Sequence, residues 1–162
     1  MSKEIWLTYD TYRETIQIPV NPPELKVSSG SQNESYNVLN LGEVTVFQKP
    51  KAAVFIFESF FPKLPGPYLD ISPDKLWEPQ LYIDRIDLWR VGYHPVRFIV
   101  TDSEINTLCS IEDFSWSERG GDVGTIYYSL TLKEYPVLTP RVLKNINGKL
   151  VYETKPTRPA AG

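Results

Sequence analysis

At 162 residues, with 41% hydrophobic and 23% charged side chains, the chain is long enough for one domain burying roughly 70% of its unfolded surface, which excludes wholesale disorder. A formal net charge of −3, with lysines and arginines scattered among the acids, gives no electrostatic reason to expect nucleic acid. A single cysteine excludes an intrachain disulfide, and no segment approaches the roughly 20 apolar residues of a membrane span.

In chain order, Glu4–Tyr9 and Glu14–Ile18 read as a first strand pair around a polar connection. Pro19, Pro22 and Pro23 then force an extended crossing, because proline fixes its own φ and biases the preceding residue away from helix. Leu25–Ser28, Ser35–Leu39 and Glu43–Phe47 are short strands, separated by turn signals at Ser29-Gly30-Ser31 and Leu41-Gly42. Val54–Phe57 continues the β pattern into Phe60-Phe61-Pro62, and a proline-rich connector follows over Lys63–Pro73. Its PxxP spacing is better read as a rigid link than as a ligand for another domain.

One window escapes the fourteen prolines long enough for a helix, about residues 78–91. Pro79 suits its first turn, and Gly92 followed by Pro95 suits its stop. Tyr82, Ile86 and Trp89 form the centre of an apolar stripe, with Ile83 on one flank and Leu81 and Leu88 on the other; Asp84 and Asp87 face water. Val96, Phe98 and Val100 then lead into the longest β signal, Ile105–Tyr135. Ile126, Tyr128, Leu130 and Leu132 alternate with Tyr127, Ser129, Thr131 and Lys133, while Cys109 and Ile111 are out of phase with Phe114 and Trp116. That slip predicts a β-bulge at Glu112–Asp113, and Arg119-Gly120-Gly121-Asp122 supplies the hairpin turn. A second turn, Asn147-Gly148, joins two further strand candidates, and residues 154–162 have the composition of a linker. The expected fold class is α+β, predominantly antiparallel β with one main helix (about 78–91) packed on the sheet; 1–153 form the β-rich domain and 154–162 a tail.

Chemistry is hard to assemble from these residues. His94 is the sole histidine and precedes Pro95, a setting for a structural or surface residue, and Cys109 lies in an alternating strand as a small core residue. There is no phosphate-cradling or dinucleotide-binding glycine pattern. The acid pairs Asp84/Asp87 and Glu112/Asp113 are the best case for a hydrolase, but they read as solvated charges and a bulge. The expectation is no enzyme, no cofactor and no metal.

Several segments in order, IWLTYD, IQIPVNPPELKV, LNLGEVTVF, FESFFP, PVRFIVTD, TLCSIEDF and GDVGTIYYSLTLKEY, resemble the N-terminal domain of the LysM-bearing inner-baseplate protein of contractile phage tails, defective prophages and phage-tail-like bacteriocins. The likeness runs from about residue 4 to 136. It implies a structural adaptor, made in the host cytoplasm and built into the tail baseplate. Such an adaptor clamps the central hub, spike and tube end to sheath-initiator and wedge proteins in a symmetric ring of copies. No text like the family's LysM repeat stands between Thr154 and Gly162; either the repeat lies beyond residue 162 or this member lacks it, and peptidoglycan binding is not carried over to these residues. The alternative is a small β-rich cell-wall hydrolase or carbohydrate-binding module. As interface residues we take Phe114, Trp116, Arg119 and Tyr127 on the hairpin, and Pro65 and Tyr68 on the proline-rich loop. Loops carry binding disproportionately, and aromatic and arginine anchors dominate interface energies. Trp116 is the first candidate anchor, the competing expectation being a ring buried in its own sheet.

Overall fold

The computed structural model describes residues 3–137, 142–146 and 149–153, the last two segments as backbone only. In chain order the strands are β1 (Ile5–Tyr9), β2 (Glu14–Gln17), β3 (Leu25–Ser28), β4 (Glu34–Val38), β5 (Gly42–Val46) and β6 (Val54–Phe61), followed by the helix α1 (Pro79–Val91). Then come β7 (Val96–Val100), β8 (Asn106–Arg119), β9 (Asp122–Glu134), β10 (Val142–Ile146) and β11 (Lys149–Glu153). A single 3-10 turn at Pro73–Lys75, which the sequence does not announce, precedes the helix. Seven strands form one antiparallel sheet in the order β2-β1-β7-β8-β9-β6-β3, while β4–β5 and β10–β11 are separate antiparallel pairs. The expected turn at Asn147-Gly148 and the linker-like tail lie outside the described residues.

The period-two patterns become a single apolar face. Leu7 of β1 stands opposite Phe98 of β7, and Phe57 of β6 opposite Leu130 of β9, all fully buried or nearly so. On a flat sheet β7 and β6, with two strands between them, stand about 14 Å apart. Yet the Phe98 ring lies 5.2 Å from Phe55 and 5.9 Å from Phe57. The sheet therefore curls, and its concave side holds the core. Ser59 on β6 donates its hydroxyl to the Val20 carbonyl at 2.7 Å, tying the segment after β2 to the far side of the curl.

Helix α1 lies against this concave face. Tyr82, Ile83, Ile86 and Trp89 are buried, as the stripe predicts. Tyr82 stacks on Phe61, which stacks on Tyr128. Trp89 stacks on Tyr9 and donates its indole N–H to Glu14 at 2.7 Å, a carboxylate also paired with Arg85. Gly92 ends the helix where the Tyr9 hydroxyl crosses it so closely that a Cβ would collide with the hydroxyl oxygen. One part of the sequence reading needs correction: Leu81 and Leu88, assigned to the apolar stripe, are 53% and 57% exposed. Only a narrow seam of the helix touches the sheet, because the concave face closes on it from one side.

The slip at Glu112 is a β-bulge. Ile111 pairs with Leu132 but Asp113 with Thr131, so Glu112 is the extra residue. From there Phe114 and Trp116 share the face of Leu130 and Tyr128. Cys109 is fully buried, and burial followed by the nearby Glu134 charge pushes its thiol up to about 12.

Candidate interaction surface

The β8–β9 hairpin gains its character from what is missing beside it. β7 pairs with β8 only through Asn106–Cys109, so from the bulge to Arg119 the outer edge of β8 has no neighbouring strand among the described residues. Such an edge offers unpaired backbone donors and acceptors to another chain, and the acids Glu112, Asp113 and Glu118 guard it against indiscriminate pairing. Every residue of β8 beyond Phe114 is exposed, while one face of β9 is buried as far as Thr125. The tip therefore projects as a two-stranded ribbon. Gly124 has φ +92°, a conformation that favours glycine, and a Cβ there would come 3.0 Å from the Lys63 Cγ at the start of the proline-rich loop. Its N–H is received by the Glu118 carboxylate at 2.8 Å.

On the convex face, opposite the core, Tyr68, Phe60, Tyr127 and Arg119 form a continuous row. Phe60 meets Tyr68 edge-on at 5.4 Å and Tyr127 at 5.6 Å, and the Arg119 guanidinium lies 3.8 Å over the Tyr127 ring. The Tyr127 hydroxyl donates to Asp122 at 3.0 Å, and this bond, ahead of desolvation and the Asp122 charge, holds the phenol above its ordinary value. Beside the row, Glu58, Ser115, Ser117 and Ser129 line an open groove of about 360 Å³ that Trp116 borders.

Of the six residues singled out from the sequence, Arg119, Tyr127 and Tyr68 come together on this face, with Pro65 exposed on the same loop as Tyr68. Phe114 and Trp116 belong to the other face. Phe114 is half-buried against the core, 6.1 Å from the Tyr128 ring, whereas Trp116 lies past the end of the core and is 48% exposed. Phe60, the centre of the row, was missed because it reads as part of the apolar run FESFF. Its place in the alternation, with Phe57, Ser59 and Phe61 inward, marks it as outward-facing.

The acid pairs are engaged locally. Asp84 accepts from Gln80, Asp87 pairs with Arg90, and Glu112 accepts the Ser110 hydroxyl. His94 is exposed, 3.8 Å from Asp10 and edge-on to Tyr9. Among the described residues no group of three or more His, Cys, Asp or Glu is placed to hold a metal, and no helix is long and apolar enough to cross a membrane.

No family model matches the chain. A Bacillus subtilis (strain 168) protein, "Uncharacterized protein YqbP", is 35% identical over 157 residues, covering 97% of this chain and 68% of that protein. The chain belongs to the YqbP family. With 97% of the chain aligned, the family likeness runs through sheet, helix and hairpin alike. Among solved structures, a chain of the anti-feeding prophage (AFP) baseplate, a six-fold symmetrised cryo-EM structure, matches 83% of this chain and 89% of its own at 10% identity. Its TM-score is 0.42, too slight a likeness to assign a fold or a role.

Proposed function

We propose that this member of the YqbP family is a non-enzymatic structural component of a contractile tail baseplate. In this reading it clamps the central hub and tube end to sheath-initiator and wedge proteins. The observation that carries the reading is the ordered sequence resemblance over about residues 4 to 136. The geometry supports it: a free β8 edge accepts a partner strand, and the Tyr68–Phe60–Tyr127–Arg119 row supplies anchors outside the core. A buried aromatic or arginine anchor contributes about 2 kcal/mol or more to binding.

The test uses co-expression with the hub, tube and sheath-side proteins of the same gene cluster. The paired substitution Arg119→Ala and Tyr127→Ala, both on the convex face, is expected to leave the monomer folded and to prevent its incorporation into particles. Normal particles containing the variant would refute the assignment of the grip. The groove bordered by Trp116 and Tyr127, lined by serines and Glu58, is the feature that favours the second reading, a carbohydrate-binding module. Saturable binding of purified protein to cell-wall glycan, lost on Tyr127→Ala, would promote that reading.

A further inference from the structure

The free edge of β8 is divided by charge. Beyond the bulge, Asp113, Ser115 and Ser117 face the convex side, while Phe114, Trp116 and Glu118 face the concave side. Acids therefore stand at both ends of the stretch, Glu112 and Asp113 at the bulge and Glu118 near the tip, and the residues between them carry no charge. Glu112 accepts the Ser110 hydroxyl and Glu118 the Gly124 N–H, each through one oxygen, and these neutral donors leave both charges uncompensated. Among the described residues no cation is paired with any of the three acids. Arg119, the only cation of β8, lies over the Tyr127 ring instead. Charge at the centre of an edge would block pairing outright. Here the centre is neutral and holds Trp116, 48% exposed, next to an open row of backbone groups.

The chain has no strand of its own left to add there. β10 and β11 pair with each other in a separate sheet. The β4–β5 arm, apolar on the face of Tyr36 and Val44 and polar on that of Asn37 and Glu43, is likewise a sheet apart. The remaining sequence after β9 is interrupted by Pro136, Pro140, Pro156 and Pro159, and proline cannot donate to a ladder. The same edge of a second copy is a poor partner too. Antiparallel pairing centred on Ser115 and Trp116 would set Asp113 opposite Glu118 twice, and like charges directly opposite destabilise a sheet.

We propose that the β8 edge pairs with a strand of a different protein that carries lysine or arginine at both ends of an uncharged, alternating centre. In antiparallel register the occupant sets one cation opposite Glu118 and another opposite Asp113. Between them, apolar residues stand opposite Trp116 and Phe114, and serine or threonine opposite Ser117 and Ser115. Backbone hydrogen bonds supply the affinity of such an added strand, and the alternate side chains supply its specificity. The inference deepens the tail reading by naming the kind of strand the edge accepts, and rests on that reading for the existence of the partner. Peptide binding by the purified chain needs no particle, so its failure is distinguishable from failure of the incorporation test.

The probe is the end-capped peptide Lys-Thr-Val-Thr-Val-Lys, titrated into the isotope-labelled full chain and followed by amide and indole shifts. Saturable shifts confined to Glu112–Arg119 and the Trp116 indole are expected. The peptide with glutamate in place of both lysines should bind about tenfold more weakly or worse. Asp113→Lys combined with Glu118→Lys, both exposed, should leave the fold intact and reverse that preference. Methylating alternate backbone nitrogens of the peptide should abolish binding in one phase and spare it in the other, because only one phase faces the edge. Absence of saturable binding, equal affinity for the two peptides, or tolerance of methylation in both phases overturns the proposal. Self-association of the chain alone through the same amides overturns it as well, by making the occupant a second copy. So does exchange protection, in the free monomer, of the β8 amides that point away from β9, which would show that the chain covers the edge itself.

Discussion

Replacing Trp89 with alanine tests whether the helix is held through the seam described above. The indole is 1% exposed, lies 5.5 Å from Tyr9 at an interplanar angle of 9°, and donates its N–H to Glu14. An aromatic side chain of this kind buries about 150–250 Å², which at about 25 cal/mol per Å² corresponds to roughly 4–6 kcal/mol of transfer free energy. Truncations of buried aromatics cost about 3–5 kcal/mol, and the Glu14 carboxylate, being partly exposed and still facing Arg85, rehydrates with little added penalty. We expect about 3–5 kcal/mol. With a urea dependence of about 2 kcal/mol per molar, the unfolding midpoint falls by roughly 1.5–2.5 M. Trp89→Phe keeps a ring on Tyr9 and loses only the second ring and the N–H, so it should cost less than half as much. Urea titrations followed by far-ultraviolet dichroism decide the matter. A midpoint shift below about 0.5 M for Trp89→Ala would refute the placement, and equal costs for the two variants would assign the effect to the hydrogen bond rather than to packing.

Two further outcomes follow from local geometry. The Glu14 carboxyl is held below its ordinary value, first by the Trp89 N–H and then by Arg85. A depressed carboxylate contributes stability that is fully present above its unfolded value of about 4.3 and is lost as pH falls through the lower folded value. Wild type should therefore lose more stability than Glu14→Gln on acidification from about pH 5, and parallel urea midpoints across that range would contradict the pairing. Deleting Glu112 removes the extra residue of the bulge and returns β8 to strict alternation, which turns Phe114 and Trp116 away from Leu130 and Tyr128. The expected cost is on the order of 2 kcal/mol, read as a lower thermal midpoint, together with a changed Trp116 fluorescence; an unchanged midpoint would mean that the bulge does not set the phase.

Much of the fold is legible because local patterns and tertiary demands coincide. The alternation in β9, the phase slip at Glu112 and the proline and glycine bounding the helix each have one structural solution, and the structure adopts it. Length and order of elements are likewise close, β6 being longer than expected because Phe60 and Phe61 continue its alternation. What was not legible depends on curvature. A helical stripe as wide as Leu81 to Ile83 predicts full burial only over a flat or enclosing surface, and a sheet that curls to bring Phe98 against Phe55 leaves the Leu81–Leu88 flank outside. The row through Phe60 depends on strand neighbours far apart in sequence, so spacing along the chain could not reveal it.

Exposure then acquires a meaning that composition alone lacks. Twenty-one aromatic residues in 162 exceed what one curled sheet and one helix enclose, and the surplus is not spread evenly. Tyr12, Tyr93 and Tyr135 stand exposed singly, while Tyr68 and Trp116 lie on the β8–β9 ribbon and its flanking loop, Tyr36 and Phe47 on or beside the β4–β5 arm, and Trp77 on the outer flank of α1. Each of these three places also has an open edge, a projecting turn or a groove, which are shapes that a neighbouring chain can fill. A sheet with free edges ordinarily invites uncontrolled pairing, and here the β8 edge carries Glu112, Asp113 and Glu118 while the polar face of the arm carries Glu43. Acids at these positions oppose association with an arbitrary strand and leave association possible with a partner that supplies matching cations. Apolar surface sets how strongly a contact holds, and the acids around it restrict which contact forms. A protein arranged in this way is specified by its neighbours as much as by its own core.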